Sequence, residues 1–136
     1  MNKYLLDTNV VSETRKSRPH GAVLAWLGGL EAGQTFLSAV TLGELQVGVE
    51  RARHQDPVKA EEIERWADQL AATYEVLPMD APCFREWARI AYNKPPDLLE
   101  DAMIAATARV HRLTVATRNE RDFMRLDVRT FNPFKN

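Results

Sequence analysis

The sequence holds a single cysteine, Cys83. An internal disulfide is therefore excluded, as is a cysteine-rich zinc site. The histidines, His20, His54 and His111, stand far apart in polar surroundings and match no metal-ligand spacing. No apolar run approaches the ~20 residues that a membrane-spanning helix needs. The run that follows Met1-Asn2-Lys3 is also too short for a secretory signal. The expectation is a cytoplasmic protein with no membrane association. An excess of one charge is missing as well, because 18 Lys and Arg against 19 Asp and Glu leave a net charge of −1. Any contact with nucleic acid must then come from a local basic face. Repeats, low-complexity segments and long linkers are absent, so the 136 residues read as one domain, 1–136, with one core.

What is present alternates between short apolar runs and segments of helical period. Lys3–Leu6 reads as a first strand, followed by a short helix from about Val10 and a polar turn around Ser17-Arg18-Pro19-His20. Ala22–Leu30 reads as a helix, Thr35–Ser38 as a strand, and Thr41–Arg53 and Pro57–Thr73 as two helices. The helical excursion over about 54–73 has the form of an arm or an interface. Tyr74–Leu77 reads as the third strand, and Ala81–Tyr92 as a helix carrying Phe84, Trp87, Ala88 and Ala91. Asn93-Lys94-Pro95-Pro96 breaks that helix. Asp97–His111 is the next, with Asp97 and Glu100 spaced as a capping box. Leu113–Ala116 reads as a fourth strand and Val128–Thr130 as a fifth at an edge. Strands alternating with helices predict a parallel sheet sandwiched between helical layers. Trp26, Trp66 and Trp87 fall among apolar residues at helical spacing and read as core. An exposed stripe of them would instead be a docking surface.

Three carboxylates stand where this pattern makes them costly. Asp7 follows Tyr4-Leu5-Leu6, and Glu44 lies just beyond Phe36-Leu37-Ser38. Asp101 opens Ala102-Met103-Ile104-Ala105-Ala106-Thr107-Ala108, a stretch small and apolar enough to lie on a sheet. Carboxylates in such places need a partner, and no lysine or arginine of buried character matches them. In an open α/β sheet ligands gather at the carboxyl ends of the strands. Asp7, Glu44 and the segment Thr117–Asp122 meet there if the first and fourth strands are neighbours. Oxygen-only ligation suits Mg²⁺ or Mn²⁺, and such a site serves phosphoryl chemistry rather than acyl transfer. Plainer readings stand beside each acid. Asp7 is a good helix N-cap, Thr41 and Glu44 have capping-box spacing, and Asp101 suits a helix N-terminus. Asn119 and Asp122 suit a turn.

Four blocks then bear a resemblance to a known family. They are Leu6-Asp7-Thr8-Asn9-Val10-Val11-Ser12-Glu13, Leu37-Ser38-Ala39-Val40-Thr41-Leu42-Gly43-Glu44-Leu45, Glu100-Asp101-Ala102-Met103-Ile104-Ala105-Ala106-Thr107-Ala108 and Val115-Ala116-Thr117-Arg118-Asn119-Glu120-Arg121-Asp122-Phe123. Their content and order resemble bacterial PIN-domain proteins, in particular the VapC-like toxins of toxin–antitoxin pairs, also called plasmid stability proteins. The resemblance implies a PIN-like three-layer α/β/α sandwich around a mostly parallel five-stranded sheet. It implies a Mg²⁺-dependent ribonuclease, with Mn²⁺ a possible substitute, that forms a homodimer. A small antitoxin would silence it and carry it to operator DNA.

On this resemblance Asp7, Glu44 and Asp101 fall on metal-binding acids. The fourth acidic position falls on Asn119, a departure for which Asp122, one helical turn on, compensates. One ion and two ions both remain open. Thr8, Asn9 and Thr117 would orient the acids. Arg15 and Lys16 beside the first block, and Arg118 and Arg121 in the fourth, would position RNA phosphates. Arg18 belongs with the first of these clusters and Arg109, Arg112 and Arg125 with the second. The expected reaction is in-line hydrolysis of an RNA phosphodiester, leaving 5′-phosphate and 3′-hydroxyl ends. A second reading keeps the fold but makes the protein a weakly catalytic binding module within a complex on operator DNA, and Asn119 favours it. A phosphatase of similar build would want a second Asp at position 9, or a Lys after the late strand. Asn9 and the Thr117-Arg118 pair meet neither pattern.

Overall fold

The computed structural model describes residues 1–135. Its strands are β1 (Tyr4–Leu6), β2 (Thr35–Ser38), β3 (Glu75–Leu77), β4 (Thr114–Ala116) and β5 (Thr130–Phe131). They form one sheet in the order β3-β2-β1-β4-β5, and every pairing is parallel. The helices are α1 (Thr8–Val11), α2 (Gly21–Gly28), α3 (Ala39–Gln55), α4 (Pro57–Thr73), α5 (Ala81–Ala91), α6 (Leu99–His111) and α7 (Glu120–Met124). Two 3₁₀ turns, Ser12–Arg15 and Pro96–Leu98, precede α2 and α6. No helix among the described residues is long and apolar enough to cross a membrane.

Side chains along a strand alternate between its faces, and β1 divides the core accordingly. Leu5 packs with Ile90, Leu98, Ala105, Val115 and Phe123 on one face. Tyr4 and Leu6 pack with Val10, Val23, Leu37 and Leu70 on the other. The result is a three-layer α/β/α sandwich. Chain order runs outward from β1 through β2 to β3, then returns to β4 on the opposite side of β1. The connections therefore diverge between β1 and β4, and a crevice opens there at the strands' carboxyl ends. A helix that feeds a parallel strand runs back from the carboxyl edge to the amino edge. The first turn of α6 consequently lies at the same edge as Asp7. Ala102, Ala105, Ala106 and Ala108 are fully buried, so α6 approaches the sheet closely.

Several expectations are corrected in detail. α3 starts at Ala39, two residues early, because the Ser38 hydroxyl accepts a hydrogen bond from Val40 N at 3.1 Å and caps it. Thr41 is then a helix-interior residue, and the Thr41–Glu44 capping box does not form. α6 begins after Leu98 with no side-chain cap, because Pro96–Leu98 winds into a 3₁₀ turn. The Asp97–Glu100 box is absent for that reason. On α5 the buried residues are Cys83, Ile90 and Ala91, while Phe84 is 45% exposed. Ala91 and the partly buried Trp87 face the core as expected, whereas Phe84 and Ala88 turn to solvent. The last strand starts at Thr130 because Asp127 adopts a left-handed turn, φ 53°. Val128 packs against the core instead of pairing.

The close contact of α6 with the sheet generates a prediction. Ala105→Leu should overpack this layer and destabilise the protein by about 1–3 kcal/mol. The midpoint of urea unfolding would read the change, with Met124→Leu, at a position 71% exposed, as an unshifted control.

Candidate active site

Asp7 sits at the junction of β1 and α1 with only 5% of its surface exposed. Its backbone N–H donates to Ala116 O at 2.9 Å, which ties the end of β1 to the end of β4. Its Oδ1 accepts from Thr8 N at 2.9 Å, so the residue does cap α1. Its Oδ2 accepts from the Thr117 hydroxyl at 2.8 Å and from Asn9 Nδ2 at 3.2 Å. Thr117 is held in turn by Asn119 N, which donates to its hydroxyl at 2.9 Å, and Asn9 Oδ1 accepts from Arg118 N at 3.1 Å. The first and fourth blocks are thus latched together through Asp7. Burial pushes the Asp7 carboxyl above its ordinary range, against the downward pull of the Thr117, Thr8 and Asn9 hydrogen bonds.

Glu44 and Asp101 face this group from α3 and α6. Burial, then the charges of Glu100, Asp7 and Asp101, push Glu44 up to about 7. Burial, then Asp7, Asp122, Glu100 and Asp97, push Asp101 up to about 6. Mutual repulsion of this kind requires that carboxylates from distant segments share one region. The three acids singled out in the sequence are therefore brought together. Asp122, in the first turn of α7, is coupled by charge to Asp101. Asn119 is exposed at the start of α7 with no side-chain hydrogen bond to the helix, and only its backbone engages the latch. Glu100 and Asp97 also belong to the acidic edge, although sequence spacing marked them only as helix-start residues. The available signal was the density of acids ahead of α6, with three in the five residues from Asp97 to Asp101.

The basic residues are divided. The Arg15 guanidinium lies 5.7 Å from the centre of the Trp66 ring, and Arg118 lies 3.9 Å from that of Phe134. Lys16 is paired with the buried Glu13, so its charge is partly neutralised. Arg121 is exposed and makes no ion pair among the described residues. Arg109 and Arg112 lie at the far end of α6, where Arg109 pairs with Glu86 at 3.0 Å and reaches Asp127 at 3.7 Å. They are remote along the helix from Asp101, which corrects their expected place beside the acids.

Comparison with known proteins identifies the family. The PIN domain family model covers residues 4–129. The chain belongs to the PIN-domain family. It is 40% identical over 136 residues to Toxin FitB of Neisseria gonorrhoeae, covering 96% of this chain and 97% of the relative. It is 33% identical to VapC ribonuclease Y4jK of Sinorhizobium fredii, covering 96% and 97%. The solved structure of FitAB bound to IR36 DNA fragment superposes with a TM-score of 0.79 at 36% identity, covering 98% of this chain and 96% of that one. Within the family this PIN domain is thus similar to the VapC and FitB toxins.

The donor chemistry of the edge fits a hard divalent cation. It presents only oxygen ligands, and burial together with their mutual repulsion raises Glu44 and Asp101, a repulsion that a cation relieves. Among the described residues no three His, Cys, Asp or Glu side chains close on one point as a ligand cage. In this PIN domain the folded chain holds Glu44 and Asp101 protonated at pH values where the unfolded chain has released those protons. The contribution of these two groups to stability is therefore fully present below about pH 4 and is lost as pH rises, from about 4.5 through about 7 for Glu44. Thermal melts of the metal-free protein should show this decline, and Glu44→Gln should flatten its upper part.

Proposed function

We propose that this PIN-domain protein is a Mg²⁺-dependent endoribonuclease and the toxin of a toxin–antitoxin pair. The observation that carries the reading is the meeting of Asp7, Glu44 and Asp101 at the crevice between β1 and β4. Similarity to FitB and to a VapC ribonuclease supports it. Asp7 and Asp101 would hold the ion, Glu44 would complete the site, and Mn²⁺ would substitute. When bound, the ion supplies Lewis-acid stabilisation of charge on a phosphate oxygen. In the free protein Glu44 is raised to about 7, and a bound cation would return it to the ionised carboxylate that can hold water. Glu44 would help orient the attacking water. Thr117 and Asn9 fix the Asp7 carboxylate, and Thr8 N holds its other oxygen. Asp122 rather than Asn119 would supply the fourth acidic group, because its charge faces Asp101. Arg118 and Arg121 would meet RNA phosphates beside the crevice, as would Arg15 and Lys16.

The protein would act in the cytoplasm as a homodimer. A small antitoxin would neutralise it and link it to operator DNA, a reading to which the DNA-bound FitAB assembly lends support. The exposed Asn119 favours a second reading, in which catalysis is weak and the protein serves chiefly as a binding module in such a complex.

Purified protein with Mg²⁺ should cut total cellular RNA into discrete fragments, and both EDTA and Asp101→Asn should abolish them. Absence of cleavage by the folded, antitoxin-free protein in Mg²⁺ and in Mn²⁺ would favour the binding module. Thr117→Val keeps the shape but removes the hydrogen bond to Asp7. It should lower activity or metal affinity by about 10–100-fold, measured as initial cleavage rates across a Mg²⁺ titration.

A further inference from the structure

A second group of cations gathers away from the four beside the crevice. A cleft of about 340 Å³ lies between α5, α6 and the chain after α7, lined by Arg89, Tyr92, Lys94, Arg109 and Arg125. A second depression, lined by Arg112 and Arg129, adjoins it and shares Arg109 and Asp127. Two acids stand in this region. Glu86 is held between Arg89 at 2.9 Å and Arg109 at 3.0 Å, and Asp127 reaches Arg109. Lys94, Arg112, Arg125 and Arg129 have no carboxylate within ion-pair distance among the described residues. Tyr92 stands at the lip, 82% exposed. In a chain with a net charge of −1, this concentration of unpaired cations marks a surface for a polyanion. An exposed aromatic ring among such cations supplies the stacking platform that single strands use.

The acidic edge repels phosphate backbones unless a cation is bound, and the cleft offers RNA a second surface free of that repulsion. α6 connects the two, with Asp101 in its first turn and Arg109 in its last. Eight residues of helix separate them by about 12 Å. We propose that this cleft is a holding site for single-stranded RNA, distinct from the acidic edge, along which the substrate reaches the carboxylates. The proposal rests on the ribonuclease reading for the identity of the polyanion. Lys94, Arg112 and Arg125 neutralise phosphates, and Tyr92 stacks a base.

The test is fluorescence anisotropy of a fluorescein-labelled oligoadenylate with the full-length Asp101→Asn protein in EDTA, across a KCl series. This measures binding without cleavage. Adding Lys94→Gln, Arg112→Gln and Arg125→Gln together should weaken binding about 10-fold or more at low salt. It should also reduce the slope of log K against log salt by about 2, as expected for three lost phosphate contacts on a single strand. Adding Tyr92→Ala should weaken binding about 5-fold or more while leaving that slope unchanged. Arg51→Gln with Lys59→Gln, on α3 and α4, should change nothing. Binding and slope equal to the parent's in both sets of variants would overturn the proposal, including the case in which this face contacts a protein. Failure of the parent to bind would overturn it too. Cleavage by the unsubstituted protein in Mg²⁺ reports separately on the ribonuclease reading, which stands if RNA is cut while the cleft variants bind normally. RNA held in the cleft without cleavage would overturn that reading and leave the holding site in place.

Discussion

The buried carboxylate of Asp7 is the constraint on which the rest of the site depends. Desolvating a charged group at the end of a central strand is unfavourable by several kcal/mol unless its lone pairs are satisfied. The Thr8 amide, the Asn9 amide group and the Thr117 hydroxyl satisfy them. Thr117 is 110 residues away in sequence, and only the adjacency of β1 and β4 brings it within reach. The parallel pairing of those strands and the chemistry of the carboxylate are therefore one arrangement. Loss of the strand pairing would strand the charge, and loss of the charge would leave Thr117 and Asn9 without their shared acceptor.

The same topology delivers the other acids. β2 ends at Ser38, which caps α3 and so sets the turn of helix on which Glu44 stands. α6 must run back from the carboxyl edge, so its first turn carries Asp101 and Glu100 into the crevice. The alanine-rich face of α6 then holds that helix close to the sheet. Thr41, buried with no hydrogen-bond partner for its hydroxyl among the described residues, lies one turn before Glu44. The edge that results is strongly acidic while the flank between α5, α6 and the chain after α7 is basic, an asymmetry hidden by a net charge near zero.

Much of this was legible in the sequence, for reasons that can be named. Short apolar runs ending in polar residues marked β1, β2 and β4, and Asp7, Glu44 and Asp101 were conspicuous because each broke such a run or its helix. Helix starts were less legible, because spacing cannot distinguish a capping box from two acids that simply follow one another. Ser38 captured the cap that Thr41 and Glu44 were expected to form, and Pro96 diverted the one expected at Asp97. Glu100 was missed as a site residue for the same reason. The position of β5 turned on a left-handed residue, Asp127, and a non-glycine residue gives little warning of that conformation. The grouping of arginines by sequence proximity failed where α6 separated them. Arg109 and Arg118 are near neighbours in the chain, yet one pairs beside α5 and the other stacks on Phe134.

The central claim is that the carboxylates form a repulsive cluster awaiting a divalent cation. Its most direct test is NMR titration of the Glu44 side-chain carboxyl carbon in selectively labelled protein, with and without Mg²⁺. The account predicts a titration near pH 7 in EDTA, moving down toward the ordinary carboxylate range when Mg²⁺ is added. An ordinary carboxylate titration in EDTA, or a raised one that ignores Mg²⁺, would contradict it.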